Sequence, residues 1–416
     1  MSVDNSELLM LLGGKKSKQT IGIAGQKGFG VGVYGGDPAD LTAMGLAPME
    51  GCEDPTSDNY GNYIHTNGSV MVFIPAFCYR IGNKGAPSYS RDAENALEIR
   101  DASEGEGDGW ILHRAFIDGG VQKLGFFIDK YICSWDTTGR LVVSVKNGSN
   151  ISLSNNVYVG TYGKENCEGK YSDAIPLGRA RGEHYSCVTA FQWSAISMLS
   201  LAHGQAATDS QFCGWYDAEH KKNFPKGNSN GSLADYNDKS VTWKPHAYLG
   251  LIGSTGSGSP FNKTTHNGQN SGVTDVSGSQ DQVAIGWYFK DVNQLLLIKE
   301  SIKAHDITKE NRRNTSLYDK MQYSHGTYWW GANAFFTDVS GTNRALCGIY
   351  PRVGQSSQSD LFGREPVSAY YDSDRILLVG GVYSGYENAG VWARGSDYGD
   401  FSRGTEYSFR ISGYAN

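Results

Sequence analysis

Long apolar runs are missing from this chain of 416 residues. Apolar residues make up 39% of it, enough for a sizeable core. No run approaches the roughly 20 residues of a membrane-spanning helix. The short patch Leu8–Leu12 follows Asp4 and Glu7 and precedes no small-residue cleavage site, so it does not read as a signal peptide. Charge is also scarce, at 19% of residues, with a formal net charge of -6. Nucleic-acid binders carry a basic face, and none is visible here. The cysteines Cys52, Cys78, Cys133, Cys167, Cys187, Cys213 and Cys347 contain no CxxC pair, which argues against a zinc ribbon and a thioredoxin-like site. Their odd number fits buried free thiols in a protein assembled in a cytoplasm, with one or two disulfides left open. The 9 histidines form no HExxH motif and no tight pair, so each reads as a packed or surface polar residue rather than a metal ligand.

Glycine, tyrosine and tryptophan are abundant instead: 54 Gly, 25 Tyr and 9 Trp. The glycines have no three-residue period, which excludes collagen, and imply many tight turns. Gln26–Gly36 reads QKGFGVGVYGG. It lacks the strand and helix of a dinucleotide fingerprint and no GK[ST] follows, so it is read as a loop packed on a neighbour. Tyrosine among Gly, Ser and Asn supplies rigid contact area with a polar tip, a composition suited to displayed binding loops.

Strand signals appear at Val70–Arg80, where Pro75 predicts an edge or bulge, and at Leu124–Ile132. A hairpin return is predicted over 139–145, after the turn Asp136–Gly139. Ala86–Gly109 is polar and reads as a surface excursion. The clearest helix is Thr189–Leu201, capped by Ser186 or Thr189 and ended by Gly204, with Trp193 and Ile196 widening its apolar stripe. A second short helix is predicted within Thr208–His220. The stretch Gly227–Gly278 is too long for a plain connection and reads as ordered or function-bearing loop. After Val283–Phe289 comes Leu295–Ile298, a short apolar run before a charged segment ending near Arg313, and short strands are expected in the tail at Ile376–Val382 and Val391–Trp392. Tyr407, Phe409 and Ile411 alternate with polar residues, which predicts a half-buried strand.

Several of these stretches, in this order, resemble the C-type lectin fold as used by formylglycine-generating enzymes and their relatives. Met71–Ala76 looks like that family's opening strand, and Phe126–Tyr131 resembles its FxIDKY strand. The Thr189–Leu201 helix sits at its first helix. His266–Gly278 resembles its NGLYDMSG segment, although Ser279–Gln282 replaces the WEW that follows there. Gly380–Tyr383 and Tyr407–Arg410 match its RGGSW and GFR strands. Within this fold the chain looks similar to the variable proteins of diversity-generating retroelements of phages and archaeal viruses. Gly380–Arg410 fits their GG-x-[WY] stretch ending in a constant FR strand. The resemblance implies an α+β, C-type lectin-like fold of the formylglycine-generating-enzyme type: mixed small sheets, two helices and long ordered loops. It also implies a glycine-rich N-terminal segment over 1–68 and a ligand-binding domain over 69–416, with a variable region at about 349–410.

The oxidase chemistry of formylglycine-generating enzymes uses paired cysteines near the C-terminal end, and no cysteine follows Cys347. No catalytic residue, cofactor or metal ligand is therefore assigned. Structural calcium stays open at Asp372 and Asp374, or at Asp397 and Asp400, because such carboxylates also occur in ordinary turns. The expected ligand-binding residues are Tyr383, Ser384, Tyr386, Glu387, Asn388, Arg394, Ser396, Asp397, Tyr398 and Asp400, lying in or beside polar loops between short strands. Arg394 would pair with a partner's carboxylate or brace Asp397. Trp329, Trp330 and Trp392 are read as core or rim. The expected function is receptor or ligand binding at a virus tail, by a protein assembled in the host cytoplasm. The partner would be a host or cell-surface protein, or less readily a glycan. The N-terminal segment would meet other virion proteins. A structural tail or baseplate component is the alternative.

Overall fold

The computed structural model describes residues 20–93, 96–138, 141–153, 170–206, 216–217, 222–223, 242–246, 250–257, 265–291, 294–322, 334–335, 351–352, 367–369, 375–381, 390–396 and 406–415. They form an α+β architecture of small sheets, one long helix, a few short ones and long loops.

The long helix, Ala190–Ala206, starts at a reciprocal cap. Thr189 Oγ1 accepts the Gln192 N–H at 3.1 Å, and Gln192 Oε1 accepts the Thr189 N–H at 2.9 Å. This is the Thr-x-x-Gln box that satisfies two otherwise orphaned donors. Every residue from Ala190 to His203 is buried, as expected of a helix apolar on more than one side. Its serines are sequestered too. Ser197 Oγ has the Trp193 and Val391 carbonyls within reach of its one proton, and Ser200 Oγ donates to the His266 carbonyl. Gly204 does not end this helix, contrary to the sequence expectation. The last turn is held from outside: His203 Nδ1 accepts the Gly25 N–H and Gln205 Oε1 accepts the Leu97 N–H.

The helix packs on a small sheet and on the second of two larger ones. The first contains β1 (Leu46–Pro48), β2 (Asn62–His65), β3 (Val70–Pro75), and, beyond a smaller sheet, three later strands. The smaller sheet has the order β5–β4–β6, from β4 (Phe77–Ile81), β5 (Leu97–Asp101) and β6 (Ile111–Leu112). With β7 (Gly125–Asp129), β8 (Tyr185–Cys187) and the last strand, β16 (Ile411–Gly413), the first sheet runs β1–β2–β3–β7–β16–β8. The second sheet is built on β9 (Asp281–Asp291), followed by β10 (Gln294–Ile298), β11 (Tyr318–Gln322), β12 (Val367–Ala369), β13 (Arg375–Gly380) and β14 (Gly390–Ser396). Its order is β11–β10–β9–β13–β14–β12, and β15 (Tyr407–Phe409) pairs in parallel with the start of β9.

Several expectations need correcting. β3 is an interior strand despite Pro75. β2 pairs only as far as Val72, and Pro75 closes the strand opposite Gly125, where its missing N–H is tolerated. The polar stretch 86–109 contains β5, paired along its length with β4, because Leu97 and Ile99 give it an apolar face. In the region of the second predicted helix, Tyr216–Asp217 is extended and pairs with Lys222–Asn223; residues 208–215 lie outside the described set. Tyr407–Ile411 is not half-buried. Both of its faces are covered, Arg410 included, because the chain leaves the second sheet after Phe409 and enters the first at Ile411. The predicted hairpin return is present, with Ser134–Trp135 opposite Val142–Val143.

Residues 20–68 contribute β1 and β2 to the first sheet and place Ile21, Phe29 and Val31 in the shared core. The glycine-rich loop packs on a neighbour, as read from sequence. Phe29 stacks on His203 at 5.5 Å, and Asn267 Nδ2 donates to the Phe29 carbonyl. Gly30, at φ +81°, needs to be glycine, since a Cβ there would lie 3.0 Å from His266 Nε2.

Candidate binding surface

β13 and β14 pair antiparallel, with Leu378 opposite Gly395 and Val379 opposite Arg394. A register shift then sets Gly380 opposite Gly390. The segment 382–389 therefore leaves and rejoins the sheet at one point. Gly380 has φ +88°, and a Cβ there would stand 3.3 Å from Trp193 Cζ2, so this anchor requires glycine on two counts. On the returning side, the Val391 carbonyl accepts Trp193 Nε1 at 2.8 Å and Arg394 Nη1 at 2.7 Å, with Ser197 Oγ also 2.8 Å away. A backbone carbonyl has only two lone pairs, so its acceptor capacity is saturated. The loop's second anchor is thereby fixed to the long helix.

The next segment, 397–405, begins at the other end of β14. Ser396 pairs there with Ala369, and by the register it lies about three residues, roughly 10 Å, along the sheet from Gly380. The segment ends back at the first anchor. The Asp281 N–H donates to the Glu406 carbonyl, the neighbouring Gln282 is opposite Val379, and the Gly278 N–H donates to the Gly380 carbonyl. Gly381, Gly390 and Glu406 thus gather at one end of the second sheet.

The chain after Glu406 is bolted down by Arg410, which is fully buried. Its guanidinium donates to Gln282 Oε1 at 2.6 Å, to the Asp129 and Lys130 carbonyls at 3.0 and 2.9 Å, and to the Thr274 carbonyl. Burial pulls its pKa down to about 10, so it stays charged at neutral pH. Burial raises the pKa of Asp275, a tendency that the Arg410 charge opposes, and both Asp275 oxygens accept the Gly256 N–H at 3.0 Å. The His266–Gly278 segment, singled out by resemblance, supplies this largely buried polar floor.

Of the expected ligand-binding residues, Tyr383, Ser384, Tyr386, Glu387, Asn388, Asp397, Tyr398 and Asp400 lie outside the described residues, as do Asp372, Asp374, Trp329 and Trp330. Ser396 is the last residue of β14. Arg394 is displaced from the expected role: it is 3% exposed, and its guanidinium serves the Val391 and Ala393 carbonyls and Ser197 Oγ. It also lies 5.5 Å over the Trp392 ring. Pointing into the core, it braces the loop base and is not presented to a partner. Trp392 itself is fully buried, as read from sequence. Sequence reasoning missed the bracing roles of Ser197, Gln282 and Arg410. Only Arg394 left a signal, its i, i+2 spacing from Trp392, which puts both on one face of a strand.

Cys52, Cys78, Cys133 and Cys187 are buried thiols outside any disulfide, and burial raises the pKa of Cys52, Cys133 and Cys187, which suppresses thiolate chemistry. Among the described residues, no group of three or more His, Cys, Asp or Glu could hold a metal ion, and no helix is long and apolar enough to cross a membrane.

No protein-family model matches the chain, and no curated protein matches it. Among solved structures it is similar to "Major Tropism Determinant U1 Variant", at 12% identity and a TM-score of 0.31, covering 83% of this chain and 63% of that one. For "Major Tropism Determinant M1 Variant" the identity is 10% and the TM-score 0.32, with the same coverage. "Major Tropism Determinant P3c Variant" gives 11% and 0.29, covering 86% of this chain and 84% of that one. The chain thus spans less than two thirds of the length of the first two.

Proposed function

We propose that this protein is a non-catalytic receptor- or ligand-binding protein of a phage or archaeal virus tail, displaying a diversified C-terminal surface. In this reading the α+β architecture is a C-type lectin-like fold of the formylglycine-generating-enzyme type. The order of the matching segments supports it, since Met71–Pro75, Phe126–Asp129 and Tyr407–Phe409 fall on core strands. The observation that carries the functional reading is the contrast at the second sheet. The residues that flank segments 382–389 and 397–405 are fixed by buried hydrogen bonds made outside those segments, and in this reading the side chains between the anchors vary without disturbing them. The binding set is then Tyr383, Ser384, Tyr386, Glu387, Asn388, Ser396, Asp397, Tyr398 and Asp400, with the tyrosines as rigid anchors. The favoured partner is a host or cell-surface protein. The segment through residue 68 carries attachment to other virion proteins, and assembly takes place in the host cytoplasm. Adsorption of purified protein to host cells tests the reading. Combined alanine replacement of Tyr386, Glu387, Asn388 and Tyr398 is expected to abolish adsorption without loss of folding. Undiminished adsorption by that variant would remove these residues from the site.

A further inference from the structure

The small sheet has an open edge. In the β4–β5 ladder the Gly82 N–H donates to the Ala96 carbonyl and the Ala102 N–H to the Ala76 carbonyl. With Tyr79 opposite Ile99, even-numbered residues of this stretch therefore face β4 and odd-numbered ones face away. Leu97 follows the rule, its outward N–H being taken by Gln205 Oε1 at 2.9 Å. Ile99, at the centre of β5, turns its N–H and C=O outward, and neither is paired among the described residues.

A groove of about 660 Å³ runs along this edge. Its floor and walls include Leu97, Ile99, Trp110, Pro87 and the helix end at Ala202, and the opposite rim is Gly22–Ala24. Ile23 on that rim is 64% exposed, an uncommon position for isoleucine. The rim is already tied to the end of β5, because the Ile21 N–H donates to Asp101 Oδ1 at 2.6 Å. Glu98, Asp101 and Glu104 line the same groove together with Arg91 and Arg100, and Glu98 is paired with Arg80.

We propose that the groove is the docking site of the chain's own N-terminal segment, whose apolar run Leu8–Leu12 adds a strand to β5. The segment joins the structure at the groove's rim. Gly13–Thr20 between them spans up to about 26 Å when extended, more than the roughly 17 Å length of a five-residue strand. A strand of Leu8–Leu12 turns alternate side chains to the apolar floor, and its backbone satisfies Ile99. Of the acidic residues in the groove, Glu104 is the one within the lining that Lys15, Lys16 or Lys18 of the spacer would complement.

Hydrogen exchange on the full chain decides this. The Ile99 amide is expected to exchange at least tenfold more slowly in the native chain than in a full-length variant with Leu8, Leu9, Leu11 and Leu12 all changed to serine. The Arg100 amide, which faces β4, serves as the internal control for an intact sheet. Ile99→Pro removes the outward donor without removing a ladder bond, and is expected to speed tryptic cleavage at Lys15, Lys16 and Lys18. Equal Ile99 exchange in the native and serine chains would overturn the proposal. Protection that grows with protein concentration would also overturn it, by putting a second copy's segment in the groove.

Discussion

Trp392, Arg394 and Arg410 show how a side chain's role is set by what surrounds it rather than by its type. Trp392→Ala would open a cavity in a fully buried site and cost about 3–5 kcal/mol, a large share of the roughly 5–15 kcal/mol that holds a typical domain together. Calorimetry is expected to show a correspondingly lower Tm. Arg394→Ala removes charge-assisted bonds to buried partners and is expected to cost about 1.5–3 kcal/mol, far more than a surface arginine. A neutral Arg394→Ala in urea titrations would return this residue to the surface. His113, His203 and His266 behave alike in a different way: each accepts a backbone N–H at Nδ1, from Ala115, Gly25 and Val273. Burial brings their pKa values down to about 3, 3 and 4 from the ordinary 6.5. The unfolded chain therefore takes up protons first as pH falls. The stabilisation is complete above about pH 7 and is lost progressively from 6.5 toward 4 and below. Lys130, pushed by burial to about 7, acts in the same direction between about pH 10 and 7. Tm is expected to rise steadily from pH 4 to pH 8, and a flat profile would mean that these groups are solvated in the native state.

At the scale of elements, local pattern made the long helix and most core strands legible, because their apolar periodicity and cap residues lie within a few positions of one another. Thr189 and Gln192 are three apart, and both halves of their cap were within reach of sequence. The failures have a common physical origin in distant partners. Gly204 stays helical because Gly25 and Leu97 hold the last turn, and Pro75 sits in an interior strand because β2 stops short of it. Arg410 is buried because its acceptors come from residues near 129, 274 and 282, which no window around position 410 contains. The candidate site was legible as a set of loops, but the convergence of Gly381, Gly390 and Glu406 at one end of a sheet was not. That convergence gives an element-level expectation. Gly380→Ala, forced into φ +88° against Trp193, is expected to cost about 1–3 kcal/mol. It should also weaken adsorption by more than its stability loss alone explains, since it displaces the anchor. Loss of stability with full adsorption would separate this anchor from binding.

For the whole molecule, the two sheets and the long helix make one scaffold, closed by a C-terminal strand that passes from one sheet to the other at Arg410. Such closure leaves the ends of the second sheet to carry change while the interior stays constant. Randomising Tyr383, Ser384, Tyr386, Glu387, Asn388, Asp397, Tyr398 and Asp400 together, and melting the members of the library, tests this division most directly. Substitutions outside the packed scaffold usually move stability by no more than about 0.5 kcal/mol each, so most members are expected to melt close to the parent while differing in the cells they adsorb to. If most members instead melted far below the parent, these residues would belong to the scaffold, and the variable-surface reading would lose its physical basis.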